Sequence, residues 1–286
     1  MAVTPPVVLT IAGFDPSSGA GITADIKTIA AHECFGVSCI TALTVQSTQG
    51  VRRVEAVDSE IIAETLQNLI SDVAVDAVHI GMLGNKRIVE VVADFLSGAR
   101  LPHVVLDPIL KSSSGADLLD DAGTRLLIER LLPLSEVLTP NLEEAAVLTG
   151  LPVTNLEQMR EAASRLHSMG AANLVVTGGH LEKATDLLSF ATARGTETEI
   201  FKADRQRSNS THGTGCAFST ALACHLAHGR GLPEAVLLSK AYVSAAITNA
   251  HPLGRGVGPL HHLYRMNQQR RQATVVSEGE HAHSRS

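Results

Sequence analysis

The sequence predicts an α/β fold in three layers, a mostly parallel central sheet between two layers of helices. Two observations carry this. Short apolar runs rich in Val, Ile and Leu alternate with helical patterns along the chain, and continuous apolar strands separated by helices belong to parallel sheets covered on both faces. Aromatic residues make up only 3% and Trp is absent. The core is therefore aliphatic and alanine-rich, which suits close packing of helices on a sheet.

The elements follow in order. Residues 7–12 read as a buried strand, followed by a glycine/serine loop and a helix over 22–33. Strands are expected at 37–43 and, shorter and more polar, at 51–57, then a helix at 61–72, a strand at 76–80 and a helix at 86–96. A strand at 104–106 ends on Asp107-Pro108; a helix at 121–132, a strand end at 137–138 and a short helix at 142–148 come next. A helix at 157–169 and a strand at 174–176 precede runs at 187–192 and 197–203, which flank Arg194-Gly195 and read as an antiparallel hairpin. Two alanine-rich helices are expected at 217–227 and 233–249. Residues 1–265 are expected to form one domain, and 266–286, rich in Gln, Arg, Ser, Glu and His, a disordered tail. Glycine-rich loops stand at the strand ends, at 13–21, 81–84, 112–115 and 178–179. In an open α/β sheet these converge at the carboxyl ends of the strands, where ligands bind.

Composition narrows the function. With 286 residues, 44% hydrophobic and 18% charged, the chain is globular. A net charge of −6 argues against nucleic acid or an acidic membrane as partner, and so few rings argue against base stacking. Cys34, Cys39, Cys216 and Cys224 show no zinc-knuckle spacing. Thirteen histidines include no H-E-x-x-H pattern, so a metal centre built on histidine is rejected. The N-terminus lacks the basic region of a signal peptide, and no apolar run reaches membrane-spanning length. The expected location is the cytoplasm, with reduced thiols.

The stretch Thr211-His-Gly-Thr-Gly-Cys216, followed at once by an alanine-rich run, reads as a glycine turn opening a helix. The free N–H groups and the dipole of such a helix start suit an anion, above all a phosphate in transfer. Cys216 has two readings, a small buried apolar residue or a thiol of lowered pKa at a helix start, able to take a proton from an attacking hydroxyl. Cys224 reads as core. The loop Ser18-Gly-Ala-Gly-Ile-Thr-Ala24 matches a G-x-G-x-x-A dinucleotide fingerprint, but the second strand ends in Thr41-Ala-Leu-Thr-Val-Gln46 without the carboxylate that would hold a ribose. It reads better as a tight turn that lets backbone approach a small ligand, with Asp15 and Asp25 supplying polar contacts. No Walker motif occurs. Asn141 and Glu144 lie three apart at a helix start. They form a capping box, or they reach a hydrated magnesium on a nucleotide; Asp107 is a second candidate near that ion. Gln46 and Met82 together suit a flat heteroaromatic ligand, the amide for its ring edge and the thioether against its face.

These motifs, in this order, resemble a known family. Ala12-Gly-Phe-Asp-Pro-Ser-Ser-Gly-Ala-Gly-Ile-Thr-Ala-Asp-Ile-Lys-Thr28, Ile80-Gly-Met-Leu83, Leu106-Asp-Pro108, Thr139-Pro-Asn-Leu-Glu-Glu-Ala145, Thr211-His-Gly-Thr-Gly-Cys216 and Gly256-Val-Gly-Pro-Leu-His-His262 are similar to the signatures of hydroxymethylpyrimidine and phosphomethylpyrimidine kinases of thiamin synthesis. The resemblance covers residues 7 to 264 and implies a ribokinase-like fold, usually dimeric. It implies ATP and Mg2+ as cofactors, with a monovalent cation as a further candidate, and an aminopyrimidine alcohol as substrate. Gln46, Gly13, Asp25 and Met82 would line the pyrimidine site; Gly213, Thr214 and Gly215 would form the anion hole, with Cys216 as base. Asn141, Glu144, Thr177 and Lys240 would meet the nucleotide, and Asp107 and Glu144 the magnesium through water. Two departures stand out. Thr177-Gly-Gly-His180 has Thr where the family commonly has Lys, a loss that Lys183 is placed to make good. The flap Lys111-Ser112-Ser113-Ser114-Gly115 differs from the usual Ala-Lys-Ser-Gly; it is expected to close over the phosphate. The rival readings are a pyridoxal kinase on the same scaffold and a non-catalytic pyrimidine-binding module.

Overall fold

The computed structural model describes residues 4–112, 115–179, 181, 183–204, 206 and 208–266. Nine strands form one sheet: β1 (Val7–Phe14), β2 (Phe35–Ser47), β3 (Gly50–Ala56), β4 (Ala77–Ile80), β5 (Val104–Leu106), β6 (Val137–Leu138), β7 (Asn173–Val176), β8 (Ala184–Thr192) and β9 (Gly195–Ala203). Their spatial order is β3-β2-β1-β4-β5-β6-β7-β8-β9. The pairs from β2 through β1 and β4 to β7 are parallel; β2–β3, β7–β8 and β8–β9 are antiparallel.

Helices α1 (Gly21–Ala31), α7 (Thr214–Ala227) and α8 (Leu232–Thr248) cover one face. Helices α2 (Ser59–Asp72), α3 (Lys86–Ala99), α4 (Asp121–Leu126), α5 (Leu142–Thr149) and α6 (Leu156–Ser168) cover the other. Alternation along β1 divides its residues between the two cores: Leu9 and Ile11 pack under α2–α6, Val8 under α1 and α7. Helix α7 is buried on nearly every side, including Ser219 and Thr220, as expected of a helix apolar all round. Among the described residues no helix is long and apolar enough to cross a membrane.

Strand β2 is longer than expected, reaching Phe35–Ser47, and α7 starts earlier, at Thr214; two further differences have physical reasons. The helix over 121–132 is regular only to Leu126; Leu127–Leu131 is a π-turn and Leu132–Leu134 a 3-10 turn. Pro133 has no N–H to continue the α ladder, and the chain shifts its hydrogen bonding ahead of it. Strand β8 begins at Ala184 rather than 187, because Thr185 and Asp186 are polar yet buried. The expected tail, apart from Met266, lies outside the described residues.

Candidate active site

The strand order reverses between β1 and β4, and in open α/β sheets a crevice opens there beyond the carboxyl ends. Gly13 comes from the end of β1 and Met82 follows β4. A Cβ on Gly13 would sit 2.8 Å from Met82 Sδ, so the missing side chain is what admits the thioether. Gln46 enters from β2. Its amide nitrogen is drawn 3.1 Å from His212 Nε2, its oxygen 3.2 Å from Thr44 Oγ1. Thr44 already donates to the Phe14 carbonyl, and His212 Nε2 lies 2.8 Å from Asp15 Oδ2. Turning the Gln46 amide over satisfies all four groups: His212 Nε2–H then donates to Asp15 and to the amide oxygen, while the amide N–H donates to Thr44.

Gly213 caps α7 with φ +81, and a Cβ there would run into the Gly19 carbonyl. Only glycine allows the turn to lie this close to the first loop. Asp15 ties the loop together. Its carboxylate accepts from the Ser17 amide (2.8 Å), the Ser17 hydroxyl (2.7 Å) and the Ala20 amide (2.9 Å), as well as facing His212. Burial pushes the Asp15 carboxyl up, but the bonds from His212, Ser17 and Ala20 outweigh it and hold it below the usual value. One N–H of the fingerprint loop, that of Ala20, is thus taken by the protein's own carboxylate. The segment 256–259 straps the turn in place: Val257 N–H donates to Thr48, Gly258 N–H to Asn209, and His212 N–H to Gly258.

Asp107, just past β5, stands against the turn; a Cβ on Gly215 would lie 3.9 Å from its Oδ2. Burial raises its carboxyl to about 6 despite relief from His79 and Ser219. Cys216 corrects one expectation. Its thiol is pushed well up, first by burial and then by Asp107 and Asp25, although the Gly21 N–H opposes this. A helix N-terminus contributes up to about 2 kcal/mol, whereas full burial shifts a pKa by up to about 3–5 units, or roughly 4–7 kcal/mol. Burial wins. Glu144 is likewise raised well above its ordinary value by burial, with Asp107 adding to it.

Asn141 and Glu144 form a capping box: Glu144 Oε2 accepts from the Asn141 amide at 2.8 Å, and Asn141 Oδ1 from the Glu144 amide at 2.9 Å. Glu144 accepts from the Leu110 backbone N–H as well; the two buried carboxylates, Asp107 and Glu144, with raised pKa values, fit a divalent cation held through its waters. Among the described residues no three His, Cys, Asp or Glu converge as direct metal ligands. Thr177 pairs with Asn141 across the ends of β7 and β6. Lys240 is bound by Asp186 at 2.5 Å, and Asp186 also accepts from the Gly178 amide at 3.0 Å. Lys183 is exposed. Lys111 bridges to Asp117, and Ser112 accepts from the Gly115 and Ala116 amides through its carbonyl and hydroxyl. Ser113, Ser114 and His180 lie outside the described residues.

Asp25 is not at the pocket wall. It is fully buried, accepting from Thr10 Oγ1 (2.7 Å) and Thr220 Oγ1 (2.9 Å), with His79 Nδ1 at 3.4 Å. Sequence reasoning also passed over His212, although it stands inside the glycine turn motif, and His79, a lone ionisable residue in a four-residue buried strand.

A mostly parallel sheet with a glycine turn opening a helix at its switch point and acidic residues beside it suits small-molecule phosphotransfer. The family model described as phosphomethylpyrimidine kinase matches residues 15–261. The chain is 42% identical to the hydroxymethylpyrimidine/phosphomethylpyrimidine kinase of Streptomyces coelicolor over 91% of its own length and 95% of that protein's. It is 43% identical to the thiamine biosynthesis bifunctional protein ThiED of Geobacter sulfurreducens, over 90% of this chain and 52% of that longer relative. Among solved structures, the pyridoxal kinase of Bacillus subtilis in complex with ADP superposes with a TM-score of 0.83 at 33% identity, covering 92% of this chain and all of that one. The chain belongs to the phosphomethylpyrimidine kinase family and has its ribokinase-like fold.

Proposed function

We propose that this protein is an ATP-dependent kinase of thiamine biosynthesis, phosphorylating 4-amino-5-hydroxymethyl-2-methylpyrimidine to the monophosphate and then to the diphosphate. The observation that carries this reading is the meeting of Gly13, Gln46 and Met82 with the Gly213–Cys216 turn at one switch point, in a chain of this family. Gln46 meets the aminopyrimidine edge and Met82 its face. The amides of Gly213, Thr214 and Gly215 stabilise the migrating phosphoryl group, whose transfer is mostly a matter of positioning and charge. In its thiolate form, which the raised pKa makes the minor form at neutral pH, Cys216 accepts the alcohol proton in the first transfer. In the second the nucleophile is a phosphate oxygen and needs no base.

Asp107 and Glu144 would hold Mg2+ through its waters, and the ion would neutralise phosphate charge. Asn141, Thr177 and Lys240 face the nucleotide; a monovalent cation is tested by replacing K+ in the same assay. Residues 1–265 act as one catalytic domain. The protein works in the cytoplasm as a homodimer, a reading supported by Leu43 and Val45, half-exposed side by side on β2; sedimentation gives its mass.

The deciding experiment is incubation with ATP, Mg2+ and the pyrimidine alcohol, with mass spectrometry for both phosphates. Binding without ADP formation would overturn the enzyme reading. The likeness to pyridoxal kinase favours one second reading, pyridoxal phosphorylation at the same site. Turnover on both substrates separates them, and a higher kcat/KM for pyridoxal would replace the first.

A further inference from the structure

Thr10 of β1 and His79 of β4 are paired in register. Both face the layer that holds α1 and α7, and both are fully buried. Asp25 from α1 and Ser219 from α7 complete a row that leads to Asp107 beside the glycine turn. His79 Nδ1 lies 3.2 Å from Thr10 Oγ1 and 3.4 Å from Asp25 Oδ2; its Nε2 lies 3.0 Å from Ser219 Oγ.

Proton counting decides the state of the ring. A hydroxyl has one proton to give. Thr10 gives its proton to Asp25 Oδ2 at 2.7 Å, so it can only accept from His79 Nδ1. Apart from the ring, Ser219 Oγ faces three oxygen acceptors: Asp107 Oδ2 at 3.1 Å, the Gly215 carbonyl at 3.0 Å and the Cys216 carbonyl at 3.1 Å. If Ser219 instead donated to His79 Nε2, its lone pairs would press on a buried carboxylate and two carbonyls with no proton between them, which low dielectric makes costly. Both ring nitrogens must therefore be donors.

We propose that His79 is a charged imidazolium beneath the glycine turn, and that it is a positioning residue. Through Ser219 it holds Asp107 and the first turn of α7 in place for phosphoryl transfer. Its counter-ion is Asp25, which explains why that carboxylate is turned away from the pocket. The groups facing His79 are Thr10 from β1, Asp25 from α1 and Ser219 from α7, with Asp107 beyond the serine. Burial alone lowers the affinity of His79 for its proton, but Asp25 and Asp107 more than reverse this. His32, His225 and His262, whose ring Nε2 atoms are buried with no hydrogen-bond partner, are pushed down to about 4 in the same molecule. Carboxylates on either side are what distinguish His79.

The positioning role rests on the kinase reading; the charge does not. Nitrogen-15 NMR of the labelled wild-type protein, with His79 assigned by its absence in His79→Lys, is expected to show both ring nitrogens protonated at pH 7.5. An unprotonated ring nitrogen at pH 7.5 overturns the proposal. In kinetics, His79→Gln is expected to lower kcat roughly 10–100-fold with little change in KM, the scale of a small displacement of reacting groups. His79→Lys, which restores charge and donors, is expected to recover to within about fivefold of wild type. A folded His79→Gln with wild-type kcat, or a His79→Lys as impaired as His79→Gln, refutes the positioning role. Should His79→Gln not fold, the wild-type spectrum and His79→Lys decide. Wild-type protein inactive on the pyrimidine would instead sink the kinase reading and leave the NMR result standing.

Discussion

On the β1–β2–β4 side of the cleft, Gly13, Gln46, Met82 and His212 are locked by close backbone contacts and by hydrogen bonds centred on one carboxylate, Asp15. On the β6–β7–β8 side, the polar groups are committed to one another: Asn141 with Glu144, Lys240 with Asp186. On the proposed reading the first side, already ordered, would receive a small rigid ring, whose recognition loses affinity for every group left to be ordered. The second side holds charge in reserve against itself. On the same reading a highly charged nucleotide with its cation would bring the charge that such a side must answer; mutual pairing keeps its buried ionic groups compensated. The turn at 213–216 stands between them and belongs to both.

Breaking the shared turn should have the largest effect. Gly213→Ala forces a side chain into left-handed backbone and against Gly19, and kcat/KM is expected to fall about 10²–10³-fold, as for loss of an anion-hole donor. Wild-type kcat/KM would show that the turn is not where the phosphoryl group passes. Next, Lys240→Ala leaves Asp186 buried without its cation and is expected to cost about 3 kcal/mol of stability, read as a lowered Tm. Added nucleotide should not restore it. An unchanged Tm would mean the pair contributes nothing and the contrast between the two sides is overdrawn.

Cys216→Ala sharpens the chemistry at the turn. The first transfer should lose more kcat/KM than the second, and equal losses would remove the proton-accepting role. Because the thiol is held above its ordinary value, the thiolate grows as pH rises, so the first transfer should accelerate towards alkaline pH while the second does not. Gln46→Ala acts on the preorganised side alone: KM for the pyrimidine should rise roughly 10-fold, the scale of one lost buried hydrogen bond, with KM for ATP unchanged. A matching rise for ATP would show that the sides are not separate.

An effect on stability rather than turnover lies away from both. His32, His225 and His262 have folded pKa values of about 4, below the ordinary value of 6.5. The unfolded chain binds more protons between these limits, so stability present above pH 6.5 is lost as pH falls towards 4. Melting temperatures across that window should drop, and His225→Leu should blunt the drop; a flat profile would refute buried neutral rings.

Much of this was legible in the chain itself. Strand and helix order follows from apolar period, and the glycine turn opening α7 announces itself by Gly-Thr-Gly before an alanine-rich run. Polar residues inside strands were harder to read. Thr185 and Asp186 hid the start of β8, and His79 looked like one histidine among thirteen. Asn141 and Glu144 show the capping box in their spacing, but which oxygen remains available does not follow from spacing.

Local sequence determined what depends on neighbours along the chain: periodicity, turns, caps, and hence the fold class, the glycine turn that opens α7 and the family. Tertiary structure decided what depends on residues far apart in sequence. It set the direction of the Cys216 shift, because burial and two distant carboxylates outweigh a local helix dipole. It also turned Asp25 from the pocket to His79, because a charge in a low-dielectric interior answers to whatever partners the fold places around it.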